Sequence, residues 1–275
     1  MQPDKWILVT GASTGIGRAA VDSLVAGGFH VYACARKAED LDELAQIKNV
    51  VPIELDVTNE EQINSAVEFV NNRNTGLFGI LNNAGIAEVG PLMDLETDTL
   101  RWQFEVNFFG QHAVTRAFFP WLLGSKGRIV MMSSDSGFFA TPFAGAYCAS
   151  KFALEGYSDS LRRELMDFGV DVVLIQPGRV KTPIWDKSMR FLDRFPGSIF
   201  EKTAVTLGKH ALEKGKTSGL EVSELGKVIL QAFNTRKPKT RYLVSQNNLK
   251  YYLVKILSDR RIDRMIQSEI AGLMK

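Results

Sequence analysis

The sequence predicts an α/β protein built on a doubly wound parallel sheet in three layers, with residues 1–275 forming one domain. Short apolar runs of strand length alternate with stretches in which apolar residues recur at helical spacing. Strands that alternate with helices pair in parallel through right-handed crossovers, so that helices cover both faces of the sheet. The length suits one open sheet, and 45% hydrophobic with 23% charged residues is an ordinary globular composition.

Apolar runs and helical periods locate the elements of the first 183 residues. The predicted strands are Trp6–Thr10, His30–Ala35, Val50–Asp56, Leu77–Leu81, Arg128–Met132 and Val172–Ile175. The predicted helices are Gly15–Ala26, Asn59–Asn71, Asp98–Leu123 and Tyr147–Asp167. From about residue 184 to 275 we expect a substrate loop and a basic C-terminal extension. This extension is predicted to hold a helix over Glu221–Phe233, a strand over Thr240–Val244 and one or two amphipathic helices over Leu249–Met274.

Cysteine, histidine and apolar content argue against several classes of protein. The two cysteines, Cys34 and Cys148, form no CxxC pair, and the three histidines are scattered. We therefore expect no metal site, and the cysteine usage suits a reducing compartment. The N-terminus does not read as a secretory signal, and the longest apolar run is too short to cross a bilayer. A cytoplasmic protein is expected.

Charge is distributed unevenly, although the net charge is only +2. Residues 1–183 carry 15 Lys and Arg against 22 Asp and Glu, whereas residues 184–275 carry 18 against 9. The segment Arg236–Arg264 holds nine basic and two acidic residues, with an apolar face formed by Leu249, Tyr252, Leu253, Ile256 and Leu257. We favour a segment packed on the domain with a solvated basic outer face, and docking on a membrane surface is the alternative. No motif supports nucleic-acid binding.

A glycine-rich turn, Thr10–Gly17, follows the first strand and opens the first helix. Its glycines permit a tight turn and bring backbone amides, with the positive end of the helix, close to a pyrophosphate. The turn fits the G-x-G-x-x-G/A fingerprint of a dinucleotide site, which indicates a Rossmann-type sheet. The same run also matches the G-x-S-x-G nucleophile elbow of hydrolases around Ser13. That alternative lacks a glycine-rich oxyanion loop and a recognisable histidine partner. A turn without any ligand is the remaining alternative.

The end of the second strand carries information about the cofactor. In NAD-binding proteins an acid about 20 residues after the glycines holds the ribose diol. Here the chain reads Ala35-Arg36-Lys37, with no acid until Glu39. The planar guanidinium of Arg36 can pair with a 2′-phosphate, and Lys37 adds a second cation. This favours NADP(H), while NAD(H) is the alternative if both cations are plain surface charges.

Tyr147 and Lys151 lie four positions apart near the start of a predicted helix, which places them on one face. A free phenol has a pKa near ~10, so it is a poor base at neutral pH. A nearby ammonium favours the phenolate and can lower that pKa toward the working range. The pair therefore predicts proton transfer, although the spacing alone is common.

Further motifs follow in order: Leu55-Asp56-Val57, Asn83-Ala84-Gly85, Asn107, Ser134 at 13 residues before Tyr147, and Pro177-Gly178 followed by Thr182. With the glycine turn and the Tyr147–Lys151 pair, they make residues 6–182 resemble the short-chain dehydrogenase/reductase family. The resemblance implies a catalytic set of Asn107, Ser134, Tyr147 and Lys151. It implies that the cofactor is held by Gly11, Ser13, Gly15, Ile16, Gly17, Asp56, Val57, Asn83, Ala84, Gly85, Tyr147, Lys151, Pro177, Gly178, Val180 and Thr182, with Arg36 and Lys37 on its phosphate. It also implies a homodimer or homotetramer.

The resemblance implies a role for each residue of this set, and its chemistry supports that role. We expect Tyr147 to give or take the proton at the substrate oxygen, and Lys151 to lower the pKa of Tyr147 and bind the nicotinamide ribose. Ser134 would hydrogen-bond the carbonyl oxygen as charge develops on it. Asn107 would hold a water that relays protons to Lys151. Asp135 is unusual, because it places a carboxylate beside this set.

The segments expected around the substrate are rich in aromatic residues and poor in charge. We expect Phe138, Phe139, Phe143 and Trp185 to contact it, with Met189, Phe191, Phe195 and Phe200 nearby. An apolar pocket predicts a lipophilic ketone, aldehyde or alcohol. This side is similar to the hydroxysteroid and retinol dehydrogenase branch. The expected function is an NADP(H)-dependent oxidoreductase; an NAD-dependent alcohol dehydrogenase and a non-catalytic cofactor-sensing protein are the alternatives.

Overall fold

The computed structural model describes residues 5–185, 195–248, 251, 254 and 256–275. Within these residues, seven parallel strands form one sheet in the order β3-β2-β1-β4-β5-β6-β7. The strands are β1 Trp6–Val9, β2 His30–Ala35, β3 Val50–Glu54, β4 Gly79–Asn82, β5 Arg128–Met132, β6 Asp171–Pro177 and β7 Arg241–Val244. Every neighbouring pair is parallel, so the predicted doubly wound Rossmann-type sheet is confirmed.

Helices connect the strands and cover the sheet. They are α1 Gly15–Ala26, α2 Ala38–Ala45, α3 Glu60–Arg73, α4 Thr97–Phe104, α5 Gly110–Ser125, α6 Gly145–Glu164, α7 Glu201–Thr217, α8 Val222–Asn234 and α9 Asp259–Leu273. A π-helical turn, Glu105–Phe109, joins α4 to α5. A short 3-10 turn, Asp135–Gly137, follows β5.

The sheet is buried on both faces because its strands are continuously apolar. Successive residues of a strand point to opposite faces, and both Ile7 and Leu8 of β1 are fully buried. One face packs on α1, α2 and α8 through Leu24, Leu44 and Ile229, among others. The other face packs on α3, α5 and α6. This is the three-layer arrangement predicted from the alternating pattern.

Three helical features differ from the sequence predictions. The expected helix over Asp98–Leu123 is interrupted by the π-helical turn, which the apolar spacing does not reveal. Helix α7 lies in a region for which the sequence predicted no helix or strand. It escaped prediction because only Ala204 and Gly215 of this helix are buried, so its apolar pattern is weak. Helix α2 is short, and Leu44 is its only buried residue, so it was also missed.

The basic C-terminal region ends in α9, which contacts α7. Its apolar residues Ile262, Ile266 and Ile270 are half-buried, while Arg260 and Arg264 are exposed. The expected apolar residues Leu249, Tyr252 and Leu253 lie outside the described residues. In the part of the chain that the structure describes, no helix is both long enough and apolar enough to cross a membrane.

All strands point the same way, so their carboxyl ends meet along one edge of the sheet. The chain leaves β1 toward β2 on one side, and the neighbour on the other side is β4. This reversal of strand order opens a crevice at the carboxyl ends of β1 and β4, where doubly wound sheets bind their ligands.

Candidate active site

The glycine turn at the end of β1 has a backbone that only glycine adopts easily. Gly11 and Gly15 have φ angles of 63° and 57°, in the left-handed region. A Cβ atom on Gly17 would lie 2.1 Å from the carbonyl oxygen of Gly11. The turn is therefore as tight as the fingerprint predicts, and it presents its backbone rather than side chains to the crevice.

The first turn of α1 offers free hydrogen-bond donors. The Thr14 side chain makes no capping hydrogen bond, and the first turn contains no acidic residue. The N–H groups of Gly15, Ile16 and Gly17 have no partners within the helix, because the first N–H groups of any helix lack them. Together with half-buried Ser13, they fit the phosphates of a dinucleotide by charge and by donor type.

The Asn83-Ala84-Gly85 turn after β4 is fastened to the glycine turn. The Thr10 hydroxyl oxygen accepts hydrogen bonds from the N–H groups of Asn83 at 2.9 Å and Ala84 at 3.0 Å. The Asn83 amide donates to the carbonyl oxygens of Thr10 and Gly11, at 2.9 and 3.1 Å. These bonds hold two predicted cofactor segments as one unit.

The carboxyl ends of β2 and β3 bring Arg36 and Asp56 together. A guanidinium nitrogen of Arg36 lies 3.3 Å from a carboxylate oxygen of Asp56. Thr58 donates its N–H and its hydroxyl to Asp56 at 3.0 and 2.7 Å. Burial works against ionisation of Asp56, but these bonds and the Arg36 charge outweigh it and lower the pKa of this carboxyl. Asp56 is thus a charged group in a set position.

This edge forms an open cavity of about 690 Å³, lined by Arg36, Asp56 and residues 58–62. Arg36 and Lys37 are exposed, so solvent and a phosphate can reach both cations, although Arg36 also pairs with Asp56. The lining also contains the carboxylates of Glu60 and Glu61, which oppose an anion there. Val57 is buried and packs against the start of α5 at Gly110.

Ser134 and Tyr147 meet beyond the carboxyl end of β5. The Ser134 hydroxyl accepts a hydrogen bond from the N–H of Ser136 at 3.1 Å and donates to Asp135 at 3.0 Å. Burial of the phenol raises the pKa of Tyr147; the hydrogen bond with Ser134 works against this, and the Asp135 and Cys148 charges add to it. From the sequence we expected Lys151 to lower the pKa of Tyr147, but in the structure the effects that raise this pKa are larger. The phenol therefore keeps its proton at neutral pH.

Lys151 lies one turn after Tyr147 on α6 and is only 4% exposed. Its ammonium donates to the carbonyl oxygen of Met132 at 2.7 Å and lies 5.7 Å from the centre of the Tyr147 ring. Burial lowers the pKa of Lys151 to about 8, and the Glu155 carboxylate works in the opposite direction. The ammonium is held at the end of β5, beside the tyrosine.

Asn107 lies in the π-helical turn and is fully buried. Its amide accepts from the N–H of Ile86 at 2.8 Å and donates to the carbonyl of the same residue at 3.0 Å. It also donates to the hydroxyl of Ser150 at 3.2 Å, next to Lys151. Turns of this type often occur at functional sites, and here the turn aims Asn107 at the catalytic helix.

The segment after β6 closes the crevice from the other side. Pro177 and Val180 are buried, and Gly178 lies near Asp135 and Ser245. A Cβ atom on Gly15 would be 3.4 Å from the Thr182 methyl group. The structure thus places Thr182 against the glycine turn, and its contact with a cofactor stays a prediction.

Comparison with known proteins agrees with this arrangement. The family model for short chain dehydrogenases matches residues 5–192. The chain belongs to the short-chain dehydrogenase family. It is accordingly an NAD(P)-dependent oxidoreductase, as the resemblance implied.

Individual relatives cover nearly the whole chain. An NADPH-dependent 3-dehydrocapnine reductase from Ornithobacterium rhinotracheale is 33% identical, over 98% of both chains. A 3-amino-tetrahydro-pyrrolizinone reductase from Xenorhabdus hominickii is 36% identical, over 88% of this chain and 87% of its own. The crystal structure of a short-chain dehydrogenase from Streptomyces avermitilis covers 99% of both chains at 28% identity, with a TM-score of 0.82. The branch within the family stays a prediction.

On the substrate side of this dehydrogenase, three predicted aromatic residues are half-buried beside the site. The Phe138 ring contacts Tyr251, and the Phe143 ring contacts Phe200, with centroids 6.1 and 6.2 Å apart. Phe139 follows in the same loop, and its N–H donates to the carbonyl of Asp135. These contacts leave the substrate roles of the three phenylalanines as predictions.

Trp185 is placed differently from the other aromatic residues. Its indole donates to the Val180 carbonyl at 2.7 Å, and its ring packs on Gly215 of α7. It therefore joins α7 to the strand end beside the cofactor crevice, and its expected substrate contact stays a prediction. Met189 and Phe191 lie outside the described residues.

Several residues around the dehydrogenase site were not found from sequence. Thr10, Glu155, Arg241 and Tyr251 all contact predicted site residues or their neighbours. Only Glu155 carried a signal, since it stands four residues after Lys151 on the catalytic helix. No cluster of three or more His, Cys, Asp or Glu side chains able to hold a metal ion occurs among the residues described.

Proposed function

We propose that this dehydrogenase is an NADP(H)-dependent enzyme that interconverts a lipophilic ketone or aldehyde and its alcohol. The observation that carries the proposal is the meeting of Ser134, Tyr147 and Lys151 at the carboxyl end of β5, the same edge of the sheet that carries the glycine turn after β1. These groups supply a hydrogen-bond donor, a protonated phenol and a buried ammonium at one edge of the sheet. Such a set suits proton transfer to a carbonyl oxygen.

The choice of NADP(H) rests on the end of β2. No acid stands where a ribose diol would be held, and exposed Arg36 occupies the next position. Its pairing with Asp56 holds the guanidinium over the open cavity. The relative named as an NADPH-dependent reductase supports this choice.

The residues of this chain divide the work of the reaction. The glycine turn and the amides of α1 would hold the pyrophosphate, and Lys151 would hold the nicotinamide ribose. When bound, the reduced nicotinamide supplies the hydride that adds to the carbonyl carbon. Ser134 hydrogen-bonds the carbonyl oxygen while negative charge develops there, and Tyr147 transfers its proton to that oxygen.

A reducing direction fits the protonation of the site. Because the pKa of Tyr147 is raised, the phenol carries its proton at neutral pH and acts as an acid. The relatives from Ornithobacterium rhinotracheale and Xenorhabdus hominickii are named as reductases, which supports the same direction. A lipophilic substrate fits the half-buried Phe138, Phe139 and Phe143 of the adjacent loops.

The test is the consumption of NADPH and NADH with a panel of lipophilic ketones and aldehydes. We expect turnover with NADPH, and its loss in Tyr147→Phe with NADPH binding retained. Arg36→Ala should weaken NADPH binding roughly tenfold, the effect of one hydrogen bond to a charged phosphate, and leave NADH binding unchanged. Equal losses for both cofactors would favour the NAD-dependent alternative. Tight binding without turnover of any substrate would favour a cofactor sensor.

We further propose a homodimer or homotetramer that associates through α4, α5 and α6. Trp102 at 44%, Phe109 at 51% and Phe152 at 45% exposure lie on these helices or on the turn joining them. Exposed large apolar residues on neighbouring helices are typical of an interface. Phe152→Glu should reduce the molar mass measured by light scattering, and an unchanged mass would argue against this surface.

Location and membrane contact stay predictions. Half-buried Ile262, Ile266 and Ile270 on α9 support a packed helix with a solvated basic face in a cytoplasmic protein. Liposome sedimentation of the whole protein against a chain truncated before Asn247 tests this. Equal partition of the two supports the packed helix, and a loss of binding on truncation supports docking.

A further inference from the structure

Glu155 is the centre of a hydrogen-bond network next to the catalytic lysine. It lies one helical turn after Lys151 on α6, and its side chain is 12% exposed. One carboxylate oxygen accepts from the Ser133 hydroxyl at 2.5 Å and from the Gln176 amide at 2.9 Å. The other oxygen accepts from Arg241 at 2.9 Å. The network therefore joins α6 to the ends of β5, β6 and β7.

The contact with Ser133 places the network beside Ser134. Ser133 is 2% exposed, and its N–H donates to the Ile175 carbonyl at 2.8 Å. The turn after Ser134 also rests on the network, since a Cβ atom on Gly137 would lie 2.8 Å from the Ser133 hydroxyl and 2.9 Å from Cγ of Glu155. A displacement of Glu155 would therefore move the backbone that carries the Ser134 hydroxyl.

Arg241 anchors the carboxylate from the edge strand β7. Its second nitrogen lies 2.9 Å from Asp159, one turn further along α6. Burial lowers the pKa of Arg241, but its bonds to Glu155 and Asp159 outweigh this, and the pKa is raised. In return, Arg241 and Arg162 keep the pKa of Asp159 low, although burial opposes them. The Glu155 carboxylate thus has the Arg241 guanidinium as a counter-charge in a fixed position.

Charged groups approach Lys151 from each side of the site. On α6 the charged groups are Glu155 and Asp159, and Asp159 is joined to the network through Arg241. The same helix also carries the titratable side chains of Tyr147 and Cys148. The turn after β5 contributes Asp135, which faces Tyr147 and Tyr251, and Arg179 acts on Tyr251 from the segment after β6. β7 contributes Arg241. Burial lowers the pKa of Lys151, and the Glu155 carboxylate works against it by raising that pKa.

We propose that Glu155, held by Arg241, is a positioning residue for the reaction. Its carboxylate fixes the serine next to Ser134 and stabilises the charged form of Lys151. Glu155 does not need to contact the substrate, because its carboxylate bonds to Ser133, Gln176 and Arg241 rather than to the reacting atoms. This inference rests on the proposed function, since Ser134 and Lys151 are the groups it serves.

The first experiment measures kcat and KM across pH for Glu155→Gln and Arg241→Gln. Glu155→Gln should lower kcat roughly tenfold or more through misplacement of Ser134, with little change in KM. Its loss of activity at high pH should begin at a lower pH than in the parent, because the ammonium has lost its carboxylate. In Arg241→Gln, the loss of activity at high pH should begin at a higher pH than in the parent, because Glu155 then acts on Lys151 without a counter-charge.

The two variants should shift the high-pH loss of activity in opposite directions. A merely structural role of Glu155 would not produce opposite shifts. Arg241→Lys keeps the cation but not the fork between two carboxylates, so it should restore the pH limb of the parent and only part of kcat. Glu164→Gln on the exposed face of α6 and Arg163→Gln, which also pairs with Asp159, are the matched controls. Both should retain the parental kcat and pH profile.

The second measurement does not depend on turnover. NMR titration of 13C-labelled lysine, with the Lys151 signal assigned through Lys151→Arg, gives the pKa of Lys151 in folded protein. That pKa should fall in Glu155→Gln and rise in Arg241→Gln. Unchanged or parallel displacements in both variants would overturn the inference. A parent enzyme without turnover would refute the proposed function instead, while the titration would still decide the action of Glu155 on Lys151.

Discussion

Gly17 faces the carbonyl oxygen of Gly11 so closely that a Cβ atom there would stand 2.1 Å from it and 2.6 Å from the Asn83 amide nitrogen. Three segments therefore converge at one point: the end of β1, the start of α1 and the turn after β4. The Asn83 amide already donates to Thr10 and Gly11 at this point. The tightness of this junction is what brings the α1 amides to the crevice.

Gly17→Ala should separate the glycine turn from the turn after β4. We expect a destabilisation of about 1–3 kcal/mol, as for other overpacked sites, and a loss of NADPH binding of at least roughly tenfold. Thermal unfolding and calorimetric titration measure both quantities. Gly124→Ala is the control, because a Cβ atom there meets nothing within 4 Å. Unchanged NADPH affinity in a folded Gly17→Ala protein would contradict the cofactor role of the turn.

Asn107→Ala should affect both stability and turnover. The substitution leaves the buried N–H of Ile86 without its partner, while the Ile86 carbonyl keeps the bond from the Gln103 amide; one unsatisfied buried group costs about 1–3 kcal/mol. The Ser150 hydroxyl beside Lys151 also loses a bond, so kcat should fall more than KM changes. Asn64→Ala on the exposed face of α3 is the control. Denaturant unfolding and steady-state kinetics measure the two effects, and a parental kcat would argue against a catalytic role of Asn107.

The reductive rate should depend on the charge of Lys151. Burial lowers the pKa of Lys151 to about 8, so the ammonium is charged below that pH and neutral above it. Tyr147 keeps its proton through this range because its own pKa is raised. We therefore expect kcat/KM for carbonyl reduction to fall as the pH rises through about 8. Lys151→Arg, which stays charged, should lack this limb in its residual activity, and a profile of the parent that stays level to pH 9 would refute the assignment.

Asp135→Asn should change the alcohol-oxidising direction. Burial is the main cause of the raised pKa of Tyr147, and the Asp135 carboxylate raises it further. Oxidation needs the phenolate as base, so its rate rises as the pH approaches that pKa. Removal of the carboxylate should move the rising limb of the oxidative profile to lower pH. Asp98→Asn, at an exposed pair with Arg101, is the control, and coincident profiles for parent and Asp135→Asn would contradict the prediction.

Local patterns were sufficient to predict the sheet and the tight glycine turn. Each strand was predicted within a few residues because a fully buried strand is a continuous apolar run, as Trp6–Val9 shows. The site residues at the strand ends were predicted because a parallel sheet brings all its carboxyl ends to one edge. The sequence did not predict helices α2 and α7, because they bury few apolar residues and their apolar positions show only a weak helical period.

The pKa of Tyr147 shows where local reasoning stops. Spacing placed an ammonium one turn from the phenol and predicted a lowered pKa. The structure adds burial of the phenol and the nearby carboxylate of Asp135, and together they raise the pKa of Tyr147. Burial depends on what packs around a group, and spacing along one helix does not contain that information.

By itself, the sequence determined the doubly wound sheet and the glycine turn, because each depends on residue types over short stretches; the catalytic set that the family resemblance implies stays a prediction. Tertiary structure alone decided the π-helical turn that directs Asn107, the pairing of Arg36 with Asp56, and the meeting of Glu155 with Arg241 across 86 positions. Contacts between distant segments follow from how helices pack on the sheet, so their partners and electrostatic consequences emerge only in the folded chain.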